Sequence, residues 1–345
     1  MKIARGIAIG ILPILVFCVA FFGSSEKRSF VNKDITQTDV ETVDSSDQKE
    51  LFNILLLGED QSRKLTDVVM IVSCDTKNGT VNVLQIPRDT YSEYTSSSYR
   101  KINAAGDVLG GGDRLACFLA ENLGISIDGY VSVDLETVGK AVDVIGGVEI
   151  DVPMNMIYKD PYQDLTIEIK KGKQILNGEK AKQFVRYREG YVRGDLGRLD
   201  AQKLFVSAFF KKLSQKNDIV TAIHLVSTVL PETESNVSLK ECIDLIGKMG
   251  IPDMKDVKFT TLPGGDIRGS SGAWYYVMNR ISAYKIIKEY FNPELEESEF
   301  DKERRFTSMV RSGFNAIYDA QSGFETKIYS ADEIDGDLEI ESKYD

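Results

Sequence analysis

Apolar residues run unbroken from residue 7 to 22, thin out over residues 24–49, and return at residue 51 in a different rhythm. Residues 51–57, 68–73 and 81–86 are nearly continuous apolar runs of strand length. Such runs predict strands buried on both faces, as at the centre of an α/β sheet. Residues 130–133 and 148–152 repeat the signal, and residues 165–169 alternate as a half-exposed strand does. Between these runs the spacing changes to that of helices. Asp113 is placed to cap a helix carrying Leu115, Phe118, Leu119 and Leu123 and ending at Gly124. Asp134 is placed to cap a second, with Leu135, Val138, Ala141, Val142 and Ile145 on one face, and Asn177 a third through Phe184 and Val185. Residues 196–213 give the longest helix, with Leu199, Val206, Phe209, Phe210 and Leu213 as its apolar stripe. Ser238 and Glu241 form a capping box for a helix reaching Met249. Strands and helices intermixed in this way predict an α/β fold, an αβα sandwich with a central mixed β-sheet flanked by helices.

The first run has a separate meaning. Lys2 and Arg5 precede it, and the polar residues 24–28 follow it. It predicts one N-terminal transmembrane helix with the N-terminus cytoplasmic and the rest of the chain outside. The sequence at Cys18-Val19-Ala20 offers a small-residue cleavage site, but Phe21 and Phe22 carry the apolar run beyond it, so an uncleaved anchor is the preferred reading. The expected organisation is an anchor over 1–23, a solvated stalk over 24–49, one globular domain over 50–292 and an acidic, partly disordered tail over 293–345.

Charge and cysteine content then narrow the chemistry. A formal net charge of −11 over 345 residues argues against a nucleic-acid binder, which needs a basic face to displace phosphate counterions. Cys74, Cys117 and Cys242 match no zinc spacing and no CxxC motif, and are read as free thiols. The single histidine, His224, lies in an apolar helical run and leaves no Ser–His–Asp or Cys–His arrangement to assemble. Gly110, Gly111 and Gly112 lack the spacing of a phosphate-binding loop.

What remains is carboxylates and arginines at strand and helix ends. Asp60 follows "NILLLGE" and Asp67 precedes "VVMIVS", so a short turn brings both to one edge of the sheet. Two carboxylates with water and substrate phosphate suffice for Mg²⁺, and both are equally at home as turn residues. Arg88 and Asp89 stand just after the strand "VLQIP", with Lys101 and Asn103 beyond a polar loop. The stretch "QFVRYREGYVRGDLGR" sets Arg186, Arg188, Arg193 and Arg198 into sixteen positions, with Gln202 one helical turn further on. Planar guanidinium forks suit polyanions, so an anion site is one reading and arginines paired with Glu189 and Asp195 are the other.

The motifs "NILLLGED", "TDVVMIVSCD", "VNVLQIPRDTY", "KINAA", "YVSVDLETVGKAVDVIGGVEIDVP" and "IKKGKQILNGEKAKQFVRYR…RGDLGR" resemble, in order and spacing over about residues 50–280, the LytR–CpsA–Psr phosphotransferases of bacterial cell envelopes. The resemblance implies transfer of a phosphate-linked glycopolymer, teichoic-acid-like or capsular, from a polyprenyl-pyrophosphate donor to a peptidoglycan acceptor. It implies Mg²⁺ (or Mn²⁺) at Asp60 and Asp67, and pyrophosphate at Arg88, Arg186, Arg188 and Arg198. Gln202, Lys101 and Asn103 lie nearby, and Asp89 either orients Arg88 or takes the acceptor proton. Arg193 is the least certain substrate contact, since it can equally pair with Asp195 to shape the loop. Two positions depart from the family pattern: Leu65 stands where an arginine is common, with Arg63 or Lys64 as substitutes, and Ala201-Gln202-Lys203 stands where the family often reads Arg-Gln-Gln, so that Ala201 replaces an arginine. A non-catalytic envelope-binding or regulatory module, or a lipid-pyrophosphate hydrolase, are the alternatives these departures leave open.

Overall fold

A computed structural model of the chain describes residues 50–60, 65–92, 101–162, 165–216, 219–249, 251–268, 272–296, 328–337 and 340–343. The expected anchor and stalk, and Arg63 and Lys64, lie outside these residues. Among the described residues no helix is long and apolar enough to cross a membrane.

Strands β1 (Leu51–Asp60), β2 (Leu65–Asp75) and β3 (Thr80–Ile86) form an antiparallel meander, and β4 (Gly129–Val133) joins β1 in parallel. The next four strands are β5 (Val148–Val152), β6 (Met156–Asp160), β7 (Leu165–Ile169) and β8 (Gly172–Leu176). They make two antiparallel ribbons, β5 with β8 and β6 with β7. The short β9 (Glu234–Ser235) pairs with β4, and β10 (Val257–Thr261) pairs in parallel with β3. A hairpin of β11 (Gly264–Arg268) and β12 (Trp274–Met278) follows, and β13 (Tyr329–Ser330) closes the far edge beside β10. The main sheet therefore runs β13-β10-β3-β2-β1-β4-β9 and is mixed, as the sequence predicts.

The helices are α1 (Ala105–Leu109), α2 (Gly112–Leu123), α3 (Leu135–Val144), α4 (Gly178–Arg186), α5 (Asp195–Lys216), α6 (Ile219–Val229), α7 (Leu239–Met249), α8 (Arg280–Tyr290) and α9 (Ala331–Asp337). The continuous apolar runs now have their cause. Ile54, Leu56, Val68, Met70 and Val72 pack under α3 to α7, while Leu55, Leu57, Val69 and Ile71 pack under α2 and α8. Alternate residues serve opposite faces, so neither face can be polar. The helix starts expected at Asp134, Asn177 and Ser238 are as predicted: Asp134 accepts from the Thr137 N–H, Asn177 from the Lys180 N–H, and Ser238 and Glu241 cap reciprocally. Cys74, Cys117 and Cys242 are free thiols, and His224 is exposed on α6.

Two expectations are corrected. Residues 148–152 are not a strand of the main sheet; β5 alternates buried and exposed positions in its ribbon, because only one of its faces meets the core. Asp113 does not cap α2, whose N-cap is Gly111; its carboxylate instead accepts from Asn236 Nδ2 at 2.8 Å. Within the acidic stretch after residue 292, Tyr329 and Ser330 add β13 to the sheet edge, and Ala331 and Ile334 are buried against the core.

Candidate active site

The site begins with an irregularity in the β1–β2 pairing. Gly58 lies opposite Val68, but Glu59 lies opposite Thr66, so Asp67 is an extra residue in β2. Regular alternation would put Asp67 on the face opposite to Val68. The bulge redirects it, as bulges beside functional sites do. Its side chain is buried, and Oδ1 accepts from Arg88 Nη1 at 2.7 Å. Oδ2 is buried with no hydrogen-bond partner. Burial pushes the Asp67 carboxyl above its ordinary value, and Arg88, Arg198 and Arg188 pull it back only in part. Asp60 lies opposite Leu65 at the neighbouring end of β1.

Arg88 follows β3, where Pro87 ends the ladder. Its backbone is held from two sides. Asn103 N–H donates to the Arg88 carbonyl at 3.0 Å and Ile102 N–H to that of Thr90 at 2.9 Å, while Tyr276 N–H donates to that of Asp89 at 2.9 Å. Lys101 donates to Asp89 Oδ1 at 2.7 Å and lies 5.7 Å from the centre of the Tyr275 ring. Asn103 thus acts through its backbone, and the segment carrying Arg88 and Asp89 is pinned between the Lys101 loop and β12.

From the other side come α4, α5 and the loop between them. Helix α4 stops because Tyr187 takes extended backbone, φ −65° and ψ 138°. Its ring turns into the core and stacks edge-on with Tyr191 at 5.7 Å, leaving Arg186 and Arg188 on either side of it, both half-buried. Asp195 then opens α5 and joins the two halves of the site. Its Oδ2 accepts from Arg198 Nη2 at 2.9 Å, and its Oδ1 lies 3.5 Å from Arg88 Nε and 3.6 Å from Arg188 Nη2.

The electrostatics follow from this arrangement. Burial opposes charge on Asp195, but Arg198, Arg88 and Arg188 outweigh it and hold its carboxyl below the ordinary range. Burial likewise opposes charge on Arg88, and Asp195, Asp67 and Asp89 more than offset it. Arg188 goes the other way: burial, then the nearby charges of Arg88 and Arg198, lower it to about 10. Arg88, Arg188, Arg198 and Lys101 face Asp67, Asp89 and Asp195, with Asp266 close enough for Asp89, Asp195 and Lys101 to act on it. Arg198 is 1% exposed and Gln202 is 0% exposed, and Arg198 Nε, Arg198 Nη1, Gln202 Nε2 and Gln202 Oε1 are buried without hydrogen bonds. Buried polar atoms left in this state cost stability.

Two placements differ from the sequence reading. Arg193 does not pair with Asp195; it is exposed and bonds Asp200 at 3.0 Å, which also holds the buried Lys203 at 3.1 Å. Asp195, read only as a pairing partner, is the hub of the arginine network. Its signal was present in the sequence: an acidic residue in the first turn of a helix, three before an arginine on the same face. Tyr191 and Gly197 also matter. A Cβ at Gly197 would fall 2.6 Å from the Tyr191 Cβ. Gly197→Ala is therefore expected to push the loop away from α5 and speed backbone exchange over residues 189–195. Hydrogen–deuterium exchange measures this, and unchanged exchange would show that the loop yields in place.

Fold and site together define an αβα protein with a buried network of arginines gathered around Asp195. The chain matches the LytR_cpsA_psr family over residues 18–292 and belongs to it. It is 31% identical over 251 residues to the polyisoprenyl-teichoic acid–peptidoglycan teichoic acid transferase TagV of Bacillus subtilis strain 168, a match covering 70% of this chain and 64% of TagV. The chain thus spans less than two thirds of that relative's length. The crystal structure of B. subtilis TagV superposes with a TM-score of 0.60 at 28% identity, covering 70% of this chain and 97% of that one. A structure of TagT bound to LIIa-WTA gives 0.55 at 27% identity, with 70% and 89% covered.

Proposed function

We propose that this protein transfers a phosphate-linked glycopolymer, teichoic-acid-like or capsular, from a polyprenyl-pyrophosphate carrier to peptidoglycan. Residues 7–22 anchor it in the cell membrane, with the αβα domain outside. The observation that carries the reading is the enclosed network of Arg88, Arg188 and Arg198 around Asp195, with unfilled donors on Arg198 and Gln202. The activity named for TagV and family membership support it.

In this reading Arg88, Arg188, Arg198 and Gln202 grip the pyrophosphate oxygens, and Arg186 adds charge at the end of α4. The acceptor hydroxyl attacks the phosphorus that carries the glycopolymer. A new P–O bond forms, the bond to the polyprenyl phosphate breaks, and the leaving phosphate keeps the electron pair. Asp89 takes the hydroxyl proton. Its side chain is 29% exposed against 1% for Asp67, so it is the carboxylate an acceptor arriving from solvent meets. Fixed donors aimed at growing negative charge need no reorganisation during the step, which is where phosphoryl transfer gains most. Asp67 fits a hard cation, because one oxygen is committed to Arg88 and the other is unpartnered; Asp60 is its neighbour across the strand ends. Among the described residues no group of three or more His, Cys, Asp or Glu is gathered for a metal. Mg²⁺ is usually held by only one or two carboxylates, with water and substrate phosphate as its other ligands. When bound, Mg²⁺ or Mn²⁺ would neutralise charge on the pyrophosphate.

The test is transfer by the full-length chain from polyprenyl-pyrophosphate-linked polymer to peptidoglycan. Polymer should become wall-linked, chelation with EDTA should suppress this, and Arg88→Ala should reduce it by about 100-fold or more. Release of free phosphorylated polymer would make the protein a hydrolase instead. Full transfer by the Arg88→Ala variant would defeat the reading.

A further inference from the structure

The residues after 292 lie beyond the family match, yet part of them returns to the site. Tyr329 and Ser330 pair with β10, and α9 packs on α5, where the Ser207 hydroxyl donates to the Ala331 carbonyl. Ile340 packs against the main core. The next three residues then run antiparallel to the loop between α4 and α5. Val192 N–H donates to the Glu341 carbonyl at 3.2 Å, Lys343 N–H donates to the Gly190 carbonyl at 2.8 Å, and Ser342 lies opposite Tyr191.

That loop joins Arg188 to Asp195 and Arg198. Gly190 is two residues after Arg188, and Val192 is three before Asp195. Tyr191, between them, is fully buried against Tyr187 and Gly197, and Gly197 adjoins Arg198. A loop of this length would normally leave its backbone groups to water and sample many conformations. Here one bridged pair, Tyr191 opposite Ser342 and flanked by two hydrogen bonds, fixes its middle, and the packing of Tyr191 passes that position to both ends.

We propose that residues 340–343 are a strap that positions Arg188 and the Asp195–Arg198 turn for the phosphate ligand, acting through backbone hydrogen bonds. The proposal rests on the reading of the arginine network as a pyrophosphate site. It assigns a role in the reaction to a segment outside the family match, and it makes Glu341, Ser342 and Lys343 positioning residues that touch no substrate.

The experiment uses the full chain, a deletion of residues 341–345 that keeps Ile340, and the substitutions Lys343→Pro and Lys343→Ala. Pyrophosphate binding is followed by calorimetry, and backbone exchange over 188–195 by hydrogen–deuterium exchange. The deletion and Lys343→Pro, which removes the N–H, should keep a melting temperature close to wild type, speed exchange at Val192 and weaken pyrophosphate by about 10-fold. Lys343→Ala keeps the N–H and should behave as wild type. Unchanged affinity and exchange in the deletion and in Lys343→Pro would overturn the strap, as would equal losses in Lys343→Ala and Lys343→Pro. If the wild type binds no pyrophosphate, the anion-site reading fails, and the strap stands or falls on exchange alone: faster exchange over 188–195 on deletion supports it, and unchanged exchange overturns it.

Discussion

Arg198→Ala is expected to lower glycopolymer transfer by about 10²–10³-fold, the range seen when one fixed donor to developing negative charge is removed. The expectation rests on where Arg198 sits. It lies in the first turn of α5, fully enclosed, with one nitrogen on Asp195 and two others without partners in the protein. Such a guanidinium is held ready for oxygens that the protein does not itself provide. The substitution also has a stability cost, because Asp195 loses its closest cation. Breaking a buried pair costs about 3–5 kcal/mol, and the low end applies here since Arg88 and Arg188 remain beside Asp195. Arg198→Lys separates the two effects. It keeps the charge and most of the stability but loses the planar fork, so transfer should still fall by at least about 10-fold. Full transfer with lysine would mean that only charge is needed at this position.

Asp67→Asn is expected to abolish the Mg²⁺ stimulation of transfer and reduce the rate by about 100-fold or more, while the fold becomes no less stable. Burial raises the Asp67 carboxyl above its ordinary value of 3.8. A carboxyl raised in the folded state contributes stability below its unfolded value, and this is lost as pH rises through the folded value. Wherever the group is ionised it therefore costs stability, and asparagine removes that cost. Arg88 keeps Asp195 and Asp89 as partners. Melting temperatures of both forms across pH 3–8 test the sign: the variant should gain on the wild type as pH rises. Parallel curves would show that Asp67 is not held at this cost. In the wild type, acid should weaken Mg²⁺ binding from a pH above 3.8 downward, because a protonated carboxyl is no ligand.

Much of the sheet was legible in the chain because burial on two faces leaves no room for polar residues. Three helix starts were legible because a capping side chain acts within three residues. Arg88, Arg188 and Arg198 stood out as candidates, since arginine in an acidic chain needs a reason, and the family resemblance grouped them with Arg186 and Gln202. Asp195 was harder to assign. An acidic residue near arginines reads as a local ion pair, and its contacts with Arg88 and Arg188 come from other segments. Arg193, one residue from a glycine and two from Asp195, was for the same reason given the wrong partner.

The sequence by itself determined the apolar anchor candidate, the αβα layering, three of the four expected caps and the residue types able to hold a polyanion, because each depends on neighbours a few positions away. Tertiary structure alone decided the rest. A one-residue bulge turned Asp67 toward Arg88, packing of the two chain segments made Asp195 their shared counter-ion, and pairing across some 150 positions brought Ser342 to Tyr191. These contacts form between residues far apart in the chain, where no local spacing records them.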